Sequence, residues 1–274
     1  MKKREYYIFI SVIAGFVLSL AAPSCANTTT PPSGGAKDTI PPIALEAVPV
    51  MNNVNHPTQP KKSQIAITFN EYVVLKDPIN NIFLSPPQKK KPQAKIKGKS
   101  VVVSFQDTLL PNTSYCLYFG ESIADNNEGN IFPPLAYSFS TGDVIDSIYM
   151  AGTVVDAKTM FPLEKITILL HTDPGDSAIF NLLPIATAKS DKYGYFAIRN
   201  IKPGRYRVFA IDDKNNNFLY DPAEESVAFC DTLFLAQQVI RDSLPELITY
   251  DEKDTLGILS RPSSIQLNLF TEVS

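Results

Sequence analysis

The sequence predicts an all-β chain: two tandem β-sandwiches, residues 43–143 and 144–235, behind a leader and a tether. Three observations predict it. Apolar residues alternate with polar ones over runs of five or six, the period of a half-buried strand. Clusters of Pro, Asn, Asp and Gly, the residues of tight turns, separate the runs. No stretch of either region sustains a helical period.

The elements follow in order. "QIAITFNEYVVL" sets Ile65, Ile67 and Phe69 against Gln64, Ala66 and Thr68. "SVVVSF" places Val101, Val103 and Phe105 on one face. "SYCLYF" offers Tyr115, Leu117 and Phe119, and "AYSFST" offers Tyr137 and Phe139. "SFSTGD" closes this sandwich, so residues 43–143 are expected to fold alone. The second sandwich reads "SIYMAGTVVD", "ITILLH", "IATAKS", "YFAIRN" and "RYRVFAID", with tight turns at "SDKYGYF" and Pro203-Gly204. From about Ala236 the pattern weakens. Residues 236–274 read as a poorly ordered segment with a terminal strand, "SIQLNLF".

The chain opens "MKKREYYIFISVIAGFVLSLAAPSC". Lys2, Lys3 and Arg4 precede an uncharged apolar run, and small residues follow it. That is the layout of a secretory signal peptide over residues 1–24, with a retained anchor helix as the alternative. Cys25 stands where cleavage falls, and the site resembles a bacterial lipobox despite Pro23. The cysteine then becomes the lipidated first residue of the mature chain; plain secretion with a free thiol is the bland alternative. Two or three acyl chains make a stable membrane anchor where one does not. Residues 25–42, rich in Thr, Pro, Ser and Gly, read as a flexible tether.

Removing the leader takes away three basic residues and one acidic residue, which moves the net charge from −3 to −5. An acidic exported chain is a poor nucleic-acid binder. Cys116 and Cys230 fall in different sandwiches and are expected to stay free, although an oxidising envelope permits disulfides. His56 and His171 lack metal-ligand neighbours and read as surface or strand-end residues. There is no G-x-S-x-G, H-E-x-x-H or C-x-x-C, so the chain is not expected to be an enzyme. Six lysines between Lys89 and Lys99 read as protection of an edge strand, with an anionic surface polymer as the functional alternative.

One stretch carries a metal-ligand spacing: "DDKNNNFLYDPAEE". Counted from Asp213, side-chain oxygens fall at positions 1, 3, 5 and 9, namely Asp213, Asn215, Asn217 and Asp221. Leu219 would add its carbonyl and Glu224 a bidentate carboxylate. This is calcium-loop spacing, with an affinity on the order of 10⁻⁴ to 10⁻³ M and a structural role. Phe218 stands where such loops place Gly. The alternative is an Asn-rich turn that needs no ion.

Several of these runs, taken together, resemble a family. "SCANTTTPPSGGAKDTIPP", "ITFNEYVVLKD", "DTLLPNTSY", "IADNNEGN" and "SFSTGD" look like Bacteroidota lipoproteins with an N-terminal bacterial Ig-like domain of the S-layer-protein type. "AGTVVDAKTMFPL" with "SDKYGYFAIRNIKPGRYRVFAIDDKNNN" is similar to transthyretin-like or carboxypeptidase-regulatory-like modules. The resemblance covers residues 22 to about 235. It implies two sandwiches and an envelope address, but no activity. Relatives continue further, so "SIQLNLF" reads as the first strand of another module. The expectation is an outer-membrane, lipid-anchored protein, on the periplasmic face because "ANTTT" lacks acidic residues. It would act as a structural or interaction module for an envelope protein partner, or else bind a glycan or peptide at the surface. Exposed tyrosines clustered in one loop set would mark a glycan site, and an exposed apolar patch a protein partner.

Overall fold

A computed structural model describes residues 37–60 and 62–237, together with the backbone of strand 264–269. The leader, Cys25 and most of the tether lie outside the described residues. Apart from Lys37 and Asp38, everything described belongs to one compact unit, Thr39–Ser274.

The chain forms β-sandwiches, as the alternation predicts. The first holds β1 (Ala44–Val48), β2 (Gln64–Phe69), β3 (Val73–Leu75), β4 (Phe83–Ser85), β5 (Gln93–Lys97), β6 (Ser100–Ser104), β7 (Ser114–Gly120), β8 (Ile123–Asp125) and β9 (Leu135–Ser140). A short helix, α1 (Pro78–Asn81), precedes β4. One sheet runs β1-β2-β6-β5, a second β4-β7-β9, and β3 pairs with β8. Ile65 lies opposite Val103 and Ile67 opposite Val101. They meet Leu84, Tyr115, Leu117, Phe119, Tyr137 and Phe139 in one core. β5 is an edge strand, and Lys95 and Lys97 stand on it, the protective placement expected of an edge.

The second sandwich holds β10 (Ile148–Asp156), β11 (Thr167–His171), β12 (Ala186–Lys189), β13 (Tyr195–Ile201), β14 (Gly204–Ile211), β15 (Val227–Phe229), β16 (Phe234–Ala236) and β17 (Ser264–Leu269), with helix α2 (Ala178–Asn181). The sheets run β13-β10-β17 and β12-β11-β14-β15, with β16 also on β14. β17 is the "SIQLNLF" strand. It joins the second sandwich: it lies parallel to β10, with Ala151 opposite Ser264 and Asp156 opposite Leu269.

Two turns show how local chemistry fixes the connections. Burial pushes the Asp125 carboxyl upward, but four backbone N–H groups outweigh that and hold it below its usual range. Oδ1 accepts from Asn127, Glu128 and Gly129, and Oδ2 from Asn130. That carboxylate orders the whole "DNNEGN" turn. Gly194, at φ +73°, ends the "SDKYG" turn where a Cβ would come within 2.4 Å of the Val154 carbonyl.

The two histidines depart from expectation. Both are buried, His56 at 3% and His171 at 2% exposure. His56 lies between Asn53 and Ser63, at 3.1 and 2.8 Å, and against the Phe139 ring. His171 closes β11, with Arg207 of β14 opposite it and no partner on Nε2. Cys116 and Cys230 are free thiols.

Candidate functional site

β7 and β11 carry unbroken buried runs because each covers two cores. On β7, Tyr115, Leu117 and Phe119 face inward, which leaves Cys116 and Tyr118 on the other face. On β11 and β14, Ile168, Leu170, Val208 and Ala210 fill the second sandwich's own core. Leu169, Phe209 and Ile211 point away from it, into a third cluster with Ile179, Phe218 and, from the first sandwich, Phe83. Phe83 and Tyr118 stack at 4.8 Å. Polar contacts ring this shared core. The Tyr118 hydroxyl donates to the Ala197 carbonyl (3.0 Å), Ser138 donates to Asn200 Oδ1 (2.7 Å), and the Thr187 N–H donates to Ser85 Oγ (2.8 Å). Burial pushes the Cys116 thiol up to about 11, against the hydrogen bonds of Tyr118 and Ser138 and the charge of Arg199, so it stays protonated and inert.

The "DDKNNNFLYDPAEE" loop lies at the edge of this junction. Asp213 Oδ1 and Oδ2 accept from the Asn217 and Phe218 N–H groups, both at 3.1 Å. Asn215 accepts from Asn217, Asn217 from Leu219, and Asp221 from Ala223. Phe218 takes φ 62°, the left-handed turn conformation usual for Gly, and its ring is buried in the shared cluster. The ring's burial holds a backbone conformation that a bulky residue otherwise avoids.

The expected ligands Asp213, Asn215, Asn217, Leu219 and Asp221 thus share one ordered loop, but Glu224 does not join them. It is exposed, and its carbonyl takes the Lys214 ammonium. Glu225 is the buried carboxylate, accepting from the Lys214 N–H (3.1 Å) and the Asp221 N–H (3.0 Å). Burial raises its pKa, and the charges of Asp213 and Asp221 push the same way. Burial also raises Asp213, against its backbone donors and Lys189. Among the described residues no three His, Cys, Asp or Glu side chains converge as a metal-holding group. The fit to calcium is therefore partial: five of the expected ligands share one loop, where the side-chain oxygens accept from its own backbone, and Glu224 does not fill the bidentate position.

Asn216 ties the loop to the first sandwich. Its Oδ1 accepts from Lys189 Nζ at 2.6 Å, and its Nδ2 donates to Asn80 Oδ1 at 2.9 Å. Lys189 also donates to the Asn80 carbonyl at 3.1 Å. Sequence spacing missed Asn80 and Lys189 because neither belongs to a motif, and Asn216 because it stands at a position of the loop that calcium-loop spacing does not use.

Two clefts, of about 600 and 640 Å³, are lined by residues of both sandwiches. At the end of the second sandwich, Tyr193 and Tyr195 are exposed at the turn that leads from β12 into β13 of the other sheet, with Phe161 exposed on the loop after β10. On the first, edge strand β1 and its flanks expose Ile43, Leu45, Val48 and Val50. Both markers named from the sequence are present, on different sandwiches. No helix of the described residues is long and apolar enough to cross a membrane.

Among solved structures, an S-layer protein matches at 12% identity and TM-score 0.26, over 62% of this chain and 23% of its own. An L,D-transpeptidase from Mycobacterium smegmatis matches at 12% and 0.26, over 61% and 79%. A variant of the major pilin subunit of Bacillus cereus matches at 12% and 0.19, over 62% and 59%. The chain thus spans less than a quarter of the S-layer protein and under two thirds of the pilin. No curated protein matches it. Residues 38–141, from just before β1 to the end of β9, match the family model of the bacterial Ig-like domain.

Proposed function

We propose that the chain is a non-catalytic cell-envelope lipoprotein, a rigid two-sandwich module that presents the β1 edge to a protein partner. The observation that carries this reading is the shared core around Phe83, which joins the sandwiches into one body. The match of residues 38–141 to the bacterial Ig-like domain supports it. Among the described residues β1 has no strand on its outer side, and it exposes Leu45 at 66% and Val48 at 56%; an open apolar edge is a template for association. Lipid on Cys25 would hold this body at the outer membrane, on the periplasmic face.

Two experiments test it. Cys25→Ser should leave an uncleaved or soluble form, since no thioether can form; partition of the variant with detergent-phase membranes contradicts the anchor. Affinity purification from gently solubilised outer membrane should recover an envelope protein with the wild type and lose it with Leu45→Lys. Equal recovery with both removes β1 as the docking edge.

Calcium binding by the loop is a second proposal. The specific observation in its favour is that Asp213 and Asp221 both repel the buried Glu225 carboxylate, which a cation would relieve. Asp213, Asn215, Asn217, Asp221 and the Leu219 carbonyl would hold the ion, with Glu225 in the place expected of Glu224, and the ion would neutralise the loop. Several millimolar calcium should then raise the melting temperature. Glu225→Ala should abolish the rise while Glu224→Ala leaves it. An identical melt in EDTA and in calcium returns the loop to a turn that needs no ion.

A further inference from the structure

The 640 Å³ cleft between β7 and β13 is of ligand size. Phe196 and Ile198 fill the core, so β13 turns Tyr195, Ala197 and Arg199 outward, and Tyr195 and Arg199 both line the cleft. Tyr195 is 49% exposed, a flat aromatic face beside open space. Among the described residues Arg199 makes no ion pair. The carboxylates Asp77, Glu121, Glu164 and Asp191 also line the cleft, and none of them forms an ion pair with Arg199. Lys165, paired with Glu164 at 3.7 Å, and Lys192, over the Tyr193 ring at 5.0 Å, line the same cleft.

We infer that this cleft binds an acidic saccharide, with a sugar ring on Tyr195 and an acidic group on Arg199. A guanidinium recognises a carboxylate or similar oxyanion by two parallel N–H bonds. An aromatic face offers the apolar surface that the C–H side of a sugar ring covers. An extended peptide is the poorer occupant. It would add to the β13 edge, and the Tyr118 hydroxyl already holds the Ala197 carbonyl there. This inference deepens the surface-ligand alternative and uses a different face from the β1 docking edge, so either can fail without the other.

The test is titration of the full chain with oligogalacturonate, followed by calorimetry and by tyrosine fluorescence, which no tryptophan obscures. Maltohexaose and poly-glutamate serve as controls. The wild type should bind the acidic saccharide at least tenfold more tightly than either control. Tyr195→Ala and Arg199→Ala should each weaken it at least tenfold, with Arg199→Lys between. Both side chains are exposed, so the melts should not move. Poly-glutamate binding as well as oligogalacturonate overturns the saccharide assignment. Maltohexaose binding as well overturns the role of Arg199. No binding, or binding that neither variant weakens, overturns the site.

Discussion

Phe83→Ala should destabilise the protein by about 3 kcal/mol, the low end for truncating a buried phenylalanine, because a small part of the ring still meets solvent. Chemical denaturation measures it. The ring stacks on Tyr118, lies 5.7 Å below the Lys189 ammonium and fills the cluster formed by Leu169, Phe209, Ile211 and Phe218. Its loss leaves a cavity between the sandwiches rather than inside one, so the second sandwich should lose stability although the substitution lies in the first. A loss under about 1 kcal/mol would mean the junction packs loosely. The isolated fragment 43–143 bears on the same point. Its Phe83, Cys116 and Tyr118 face would meet water, so the fragment should aggregate or melt without cooperativity, where sequence alone suggests an independent domain.

Acid should weaken the fold well above the range in which carboxylates titrate. Burial pushes His171 down to about 4, against a small upward pull from Asp173, and burial lowers His56. An unfolded histidine titrates near 6.5, so between about 6.5 and 4 the unfolded chain binds protons that the folded chain refuses. Stability is therefore complete above about 6.5 and falls as pH drops toward 4. For His171 the loss is about 2 kcal/mol after allowing for partial solvent screening. Asp213 and Glu225, raised by burial, act in the opposite sense, so the quantity to measure is the difference between wild type and His171→Phe. Parallel stability profiles for the two from pH 7 to 4 would contradict the buried neutral ring.

The strands were legible because each run has one face on its own core. The alternating positions Ile65, Ile67, Val101, Val103, Tyr115 and Phe139 all point inward. The junction left a fainter trace. "SYCLYF" and "ITILLH" place Cys116, Tyr118 and Leu169 at alternate positions and carry no Asp, Glu, Lys, Arg, Asn or Gln, which is the pattern of strands covered on both sides. Period two separates the faces of a strand but does not say what covers the second, so Cys116, Tyr118 and Leu169 gave no sign of a partner sandwich. The loop was legible in its first nine residues, whose Asn and Asp side chains set the turn locally. It failed at Glu224 because the calcium-loop count assumes a helical exit. Here Glu224 and Glu225 donate their N–H groups to the Asp221 carbonyl in a short turn before β15, and that turn brings Glu225 inward.

The central claim is that the two sandwiches form one cooperative body through the core around Phe83. Scanning calorimetry of the full chain tests it most directly. The account predicts one transition, with equal calorimetric and van't Hoff enthalpies, that Phe83→Ala shifts as a whole to lower temperature. Two resolved transitions in the wild type, only the first of which moves in the variant, would contradict it.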